Sequence, residues 1–333
     1  MEKILITGSN GFIGSNLCKY FLEKGFEVYG FVRETSDLHF LEELNVKLIY
    51  GDLLKPEEIE IPKDVDYIVH SASIVSDTAD EDQCYANIYL LAFNLIQKIL
   101  QLNNNLKKVI YISTALTLGF NGINISEEKQ GESALFFPYT RFKKKTEEYF
   151  LEQFRKNRLP VVILRPGDVY GPNDRTSCAH MLKGCEQGVP LIVGHGNWHL
   201  SFCYIDNLCQ AVYLALLKNE IEGRAYTVTN SILPTWRTFF SGLQKGLKKT
   251  QFLYIPVKFA FAVAAILKFV QKIFPKFDPL ITYYRIKRIT THTTYDISRT
   301  IAELGYKPDN HIENQIQAIL AWYHKEKENG FIK

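Results

Sequence analysis

Nothing in this chain is arranged to be cross-linked. Its six cysteines, at positions 18, 84, 178, 185, 203 and 209, form no C-x-x-C pair and no framework spacing. A disulfide scaffold is thereby excluded, reduced core thiols in a reducing compartment are expected, and metal ligation is not. Charge of one sign is equally scarce: the formal net charge is +3, and Lys143, Lys144 and Lys145 form the only basic triple. No nucleic-acid surface is expected from that balance. No internal repeat or linker breaks the chain. The first strand begins at residue 3, without room for a signal or transit peptide, and a cytoplasmic location is expected. The least polar stretch, residues 255–274, is interrupted by Lys258, Lys268 and Lys272, so a transmembrane span is not expected. What is present is an ordinary globular composition: 333 residues, 46% hydrophobic and 23% charged, enough for one large α/β domain and a smaller lobe.

The organising stretch is Ile4 to Gly14, ILITGSNGFIG. Ile4, Leu5, Ile6 and Thr7 read as a buried parallel strand, and Gly8, Gly11 and Gly14 open onto the apolar-periodic run Phe12, Ile13, Leu17, Phe21. Strand, tight turn and helix in this order suit a dinucleotide pyrophosphate, because glycines admit close backbone approach and a helix N-terminus offers unpaired N–H groups. The TGxxGxxG spacing resembles the extended branch of the short-chain dehydrogenase/reductase superfamily, the NAD-dependent epimerase/dehydratase family. That resemblance implies a Rossmann doubly wound parallel sheet, with Gly8, Asn10, Gly11, Phe12, Ile13 and Gly14 against the cofactor.

A second strand, Glu27 to Val32, ends in Arg33. An acidic residue at that place accepts from a ribose 2′-OH, whereas an arginine pairs with a 2′-phosphate, so NADP(H) is favoured over NAD(H). Val46 to Tyr50 leads into Gly51-Asp52-Leu53, similar to the family's adenine-contacting GD[LI] turn. Tyr67 to His70 leads into Ser71-Ala72-Ser73, where small residues let the cofactor lie on the chain; His70 reads as a core histidine. Gln83 to Leu102 is helical by spacing, and Asn87 is expected to satisfy backbone groups.

The fifth strand, Val109 to Ser113, delivers Thr114, which the resemblance places on the reacting oxygen of the substrate, with Ser113 as its fallback. Tyr139-Thr-Arg-Phe-Lys143 then opens a helix reaching about Asn157. Tyr139 and Lys143 share one helix face, so the ammonium, together with the positive nicotinamide ring of an oxidised cofactor, is expected to favour the phenolate of a tyrosine acting as general acid/base. Lys143 is also expected to hold the nicotinamide ribose. Arg165-Pro-Gly-Asp-Val-Tyr-Gly-Pro172 resembles the family's RPxxVYGP element, which implies Pro166 and Val169 at the nicotinamide.

Residues 1–172 are thus expected to form an NAD(P)-binding Rossmann domain and 173–333 a substrate-binding lobe, with 202–230 returning to the first. Where nucleotide-sugar relatives carry an Arg-Asp pair before the Phe of F-x-Y-V-D-D, this chain has Leu200 and Ser201. Asp168, ionised, would moreover repel a diphosphate. The C-terminal segments around 277–281, 295–298 and 303–308 resemble the 3β-hydroxysteroid-dehydrogenase and dihydroflavonol-reductase-like group. Together these imply an oxidoreductase interconverting carbonyl and alcohol on an apolar small molecule; a nucleotide-sugar epimerase with tightly bound NAD is the alternative. A homodimer is expected by resemblance. Residues 255–274 are expected to pack a wide apolar face on the lobe, in preference to a lid over an apolar substrate or a membrane-surface contact.

Overall fold

Seven runs of apolar or β-branched residues build the central sheet, and the chain between them builds the layers on either side. The computed structural model describes residues 1–76, 78–102, 106–187, 191–247, 253–274, 277 and 281–332. The first half of the chain runs β1 (Lys3–Thr7), α1 (Phe12–Glu23), β2 (Glu27–Val32), β3 (Lys47–Tyr50), β4 (Tyr67–His70), α2 (Glu81–Cys84), a π-helical stretch (Tyr85–Leu90), α3 (Leu91–Leu100), β5 (Lys108–Ile112), β6 (Gly122–Ile125), α4 (Pro138–Asn157), β7 (Val161–Pro166) and β8 (Asp168–Tyr170). It continues as α5 (Cys178–Glu186), β9 (Leu191–Val193), β10 (Phe202–Tyr204), α6 (Ile205–Leu217), β11 (Ala225–Val228), α7 (Trp236–Gly246), β12 (Leu253–Ile255), α8 (Val257–Ile273), α9 (Tyr283–Ile289), β13 (Thr293–Tyr295), α10 (Ser298–Leu304) and α11 (Ile312–Glu328).

The sheet is parallel throughout, in the order β11-β7-β5-β4-β1-β2-β3. Every residue of β4, β5 and β7 is buried, as central parallel strands covered on both faces must be. Alternation divides the core: Ile4 and Ile6 point into the layer built with α1, α6 and α11, and Leu5 into the layer built with α3 and α4. The direction of strand addition reverses between β1 and β4, which makes their C-terminal ends the topological switch point. Three two-stranded parallel sheets, β10-β8, β12-β9 and β13-β6, tie the later segments to this frame.

One expectation from the sequence is overturned. α8 seats Ala260 and Ala264 inward, while Phe259, Ile266, Phe269 and Ile273 are 59%, 64%, 65% and 56% exposed. A helix this apolar has two candidate faces, and close approach to α9 selects the one with small side chains. Among the described residues no helix is long and apolar enough to cross a membrane. Of the 277–281 segment, residues 278–280 lie outside the described residues.

The glycine turn carries the tightest steric demand. A Cβ on Gly14 would sit 2.1 Å from the carbonyl oxygen of Gly8, so Gly14→Ala must displace backbone. The substitution is expected to lower the unfolding free energy by about 1–3 kcal/mol in denaturant titration; an unchanged midpoint would show that the turn opens without cost.

Candidate active site

The C-terminal ends of β1, β4, β5 and β7 bring together most of the residues singled out from the sequence. At β1, Gly11 N–H donates to Gly8 O at 3.0 Å. α1 then begins with no side-chain cap and no acidic residue in its first turn. Its leading N–H groups, including those at Phe12 and Ile13, therefore have no competing side-chain acceptor, as an anion site requires. Gly8 has φ +68°, and a Cβ there would lie 2.7 Å from Ala72 Cα, so the chain after β4 rests directly on the turn. Ser71 Oγ donates to Thr7 O at 2.7 Å and Ser73 Oγ to Ile74 O at 3.0 Å. These features form a cradle that only glycine leaves open, and they fit a dinucleotide.

The adenosine end is looser. Arg33 is exposed, its backbone N–H bonded to Ser36 Oγ at 3.0 Å; its side chain makes no ion pair among the described residues. Asn10 Nδ2 donates to Asp37 O at 3.3 Å, closing that loop onto the glycine turn. Asp52 uses Oδ1 to accept Leu54 N–H at 2.9 Å. Leu53 is buried, with its carbonyl taken by Asn94 Nδ2 at 2.9 Å, so its side chain faces the core rather than a ligand. Asn87 donates to Gln83 O at 3.0 Å, the backbone role read from the sequence. His70 is buried with Nδ1 2.8 Å from Thr7 Oγ1; burial, reinforced by the nearby Lys143 charge, pushes it down to about 3. It stays neutral.

Thr114 caps the turn after β5, accepting Leu116 N–H at 3.3 Å. That leaves its hydroxyl proton free to donate. Tyr139, on the first turn of α4 behind Pro138, is half-buried and has its phenol pushed up to about 12. Desolvation dominates, with a hydrogen bond from Thr114 and the charge of Arg288 pulling the other way. In the free protein the phenol is therefore held in its protonated form. Lys143 does not supply the compensating charge, because its Nζ donates to Ile112 O at 2.9 Å and lies 6.0 Å from the Tyr139 ring centroid. Burial lowers the ammonium itself from 10.5 to about 7, against the opposing pull of Glu147.

Ser113, the fallback for Thr114, faces away from the site. Its Oγ donates to Glu147 Oε1 at 2.5 Å, and Glu147 is gripped by Arg165 through Nε at 3.0 and 3.1 Å and Nη2 at 2.7 Å. Glu147 continues the i, i+4 series from Tyr139 and Lys143, a spacing that marks it as inward-facing and that sequence reasoning passed over.

Pro166 ends β7 opposite Val228, and Val169 is half-buried in β8 opposite Cys203. Asp168, between them, is ion-paired with Arg288 of α9. Its charge is compensated, so the repulsion of a diphosphate expected from the sequence does not hold as stated. Leu200 and Ser201 are both buried, at 3% and 1% exposure, and Ser201 Oγ donates to Asp168 Oδ2 at 3.2 Å. Arg288 had one signal in the sequence: Tyr284 and Arg288, one helical turn apart in a basic segment.

A model of the NAD dependent epimerase/dehydratase family matches residues 4–229. The chain belongs to that family. Its curated relatives include the 2-alkyl-3-oxoalkanoate reductase of Shewanella oneidensis, 27% identical over 95% of this chain and 85% of the relative. Another is the sterol-4-alpha-carboxylate 3-dehydrogenase (decarboxylating) of Candida albicans, 25% identical over 98% of this chain and 99% of the relative. The chain is an enzyme of the extended short-chain dehydrogenase/reductase type. Among solved structures, the UDP-glucuronic acid 4-epimerase of Bacillus cereus, in complex with UDP-glucuronic acid and NAD, superposes with a TM-score of 0.75 at 22% identity, covering 97% of this chain and 99% of that one. That likeness shows the Rossmann fold.

The buried lysine gives a pH test. An unfolded chain holds the Lys143 proton up to the usual 10.5 and the folded chain releases it near 7, so the unfolded state binds more protons in between. Stability is therefore expected to rise with pH across that window by up to about 1.4 kcal/mol per unit. The difference in unfolding free energy between wild type and Lys143→Met, followed from pH 7 to 10, measures it; parallel profiles would mean that the ammonium stays charged.

Proposed function

We propose that this enzyme transfers hydride between a nicotinamide dinucleotide and an apolar small molecule, interconverting a carbonyl and a secondary alcohol, with Tyr139 as general acid/base. The observation that carries the reading is the protonated, half-buried Tyr139 phenol beside the Thr114 hydroxyl, at the same edge of the sheet as the glycine cradle. A bound nicotinamide supplies the hydride donor or acceptor. In the reducing direction Tyr139 gives its proton to the substrate oxygen, and in the oxidising direction it takes the proton back. Thr114 donates a hydrogen bond to that oxygen. Lys143, anchored on Ile112 O with its Nζ 6.0 Å from the Tyr139 ring centroid, would hold the nicotinamide ribose of a bound cofactor.

Support for an apolar substrate comes from the aromatic wall beside Tyr139, where Phe137, Phe136 and Tyr284 pack together, and from the buried Leu200 and Ser201. The names of the two curated relatives share one chemical feature: the carbon that bears the oxygen lies next to the carbon that bears the carboxylate. A substrate of that kind, an apolar 3-oxo or 3-hydroxy acid, is the class we favour. NADP(H) is preferred over NAD(H) in this reading, through the exposed Arg33. Pairing of two copies is supported by the aromatic row of Tyr85 and Tyr89 on the π-helical stretch, Phe93 on α3 and Tyr149 on α4.

Tyr139→Phe is expected to lower kcat by about 10²–10⁴-fold while retaining the thermal shift given by the dinucleotide; full activity in this variant would overturn the assignment. Arg33→Ser is expected to weaken NADPH by about 10-fold or more relative to NADH, since a charge-assisted hydrogen bond to phosphate is lost. Fluorescence titration of both reduced cofactors reads the ratio, and an unchanged ratio removes the case for NADP(H).

A further inference from the structure

Arg288 sits on α9, far from the glycine turn in sequence, yet its side chain reaches the edge of the site from two directions. Nη1 donates to Tyr284 Oη at 3.0 Å, and the Tyr284 ring packs edge-on against Phe137 with centroids 4.1 Å apart. Phe137 is the N-cap of α4, two residues before Tyr139. On the other side the guanidinium is ion-paired with Asp168, which stands between Pro166 and Val169. Both side chains of this pair are about a quarter exposed, 23% for Arg288 and 24% for Asp168. The pair is thus a compensated charge at the rim of an otherwise apolar wall, open to exchange.

We propose that Arg288 is the residue that binds the carboxylate of the substrate, and that Asp168 is an internal carboxylate occupying the same guanidinium until the acid arrives. The proposal rests on the oxidoreductase reading and names the group by which that site recognises its ligand. Its physical basis is the fork geometry of arginine, which matches a planar carboxylate in a way an ammonium does not. The incoming carboxylate adds a single negative charge, and the displaced Asp168, 24% exposed, is left to solvent. Asp168 does not lose all support when displaced, since Ser201 Oγ donates to it at 3.2 Å. A diphosphate is a poorer match: it brings at least two negative charges to a pair whose sum is zero, and positions 200 and 201 are buried and contribute no cation. The charge of Arg288 is felt at both the Tyr139 and Tyr295 phenols, which agrees with its place beside the reacting end.

The test uses stable alcohols in the oxidising direction, with the full-length chain and either dinucleotide: 3-hydroxydecanoic acid, its methyl ester, and 2-nonanol, which lacks the carboxyl group. Wild type is expected to favour the acid over the ester and the alcohol in kcat/KM by about 10- to 100-fold, the usual worth of a charged hydrogen-bonded contact. In Arg288→Met that ratio is expected to fall toward one, and in Arg288→Lys to fall part of the way. Because a ratio within one preparation is read, loss of folded protein does not imitate the effect. Asp168→Asn, which removes the competing carboxylate, is expected to lower KM for the acid several-fold, and a raised KM would overturn the exchange. Equal ratios in wild type and Arg288→Met overturn the carboxylate assignment and leave the oxidoreductase reading standing. Turnover of none of the three probes overturns both. Thermal stabilisation by UDP-glucose that disappears in Arg288→Met, with none from the acid, would assign Arg288 to a diphosphate instead.

Discussion

The carboxylate of Glu147 is the contact on which the geometry of this site depends. Almost fully buried, it accepts from Ser113 at the end of β5, from Thr117 in the turn that follows, and from Arg165 near the end of β7. One helical turn earlier, Lys143 grips the carbonyl of Ile112. Two side chains of α4 therefore hold the last residues of β5, and Thr114 and Tyr139, the groups proposed to act on the substrate oxygen, come from the two elements so joined. An unpaired buried carboxylate is costly enough that the network forms as a unit or not at all. Fixed hydroxyl geometry is a by-product of satisfying Glu147.

Much of this was legible from residue patterns. Glu27–Val32 and Tyr67–His70 were readable to the residue, because a buried parallel strand is an uninterrupted apolar run between turn formers. The helix opening at Tyr139 and reaching about Asn157 was nearly as clear; it begins one residue earlier, with Pro138 at its first position. The glycine turn, Thr114, Tyr139 and Lys143 do meet at one edge of the sheet. Three things were not legible, each for a tertiary reason. The acidity of Tyr139 depends on where Lys143 points, and that is decided by the carbonyl of Ile112. The charge at Asp168 depends on Arg288, contributed by an element more than a hundred residues later. The orientation of α8 depends on which of its apolar faces lets a neighbour approach, a choice that periodicity leaves open.

The electrostatics also differ from a picture of a permanently activated site. His70 is neutral, Lys143 sits near 7 and the Tyr139 phenol keeps its proton. In the free protein, desolvation outweighs attraction at each of these groups. Under the proposed mechanism, a site in this state is a store of one transferable proton at Tyr139 rather than a ready base. The oxidising direction of that proposal requires the phenol to be deprotonated first, and a cationic nicotinamide or a rotated Lys143 is the charge able to favour that.

The strand order has a consequence for how the chain comes to be folded. β7 is bounded on one side by β5 and on the other by β11, in the register Ala225 opposite Ile163 through Val228 opposite Pro166. During synthesis from the N-terminus, every strand of the sheet except β11 exists once residue 166 has emerged, and β7 then presents an unpaired row of backbone N–H and C=O groups along a strand that is apolar apart from Arg165. Among the described residues, that edge stays open while β8, α5, β9, β10 and α6 are made. The nascent protein is thus most exposed to wrong pairing after its glycine turn, Thr114, Tyr139 and Lys143 are all in place, and α6 followed by β11 ends that interval by covering one layer and closing the edge.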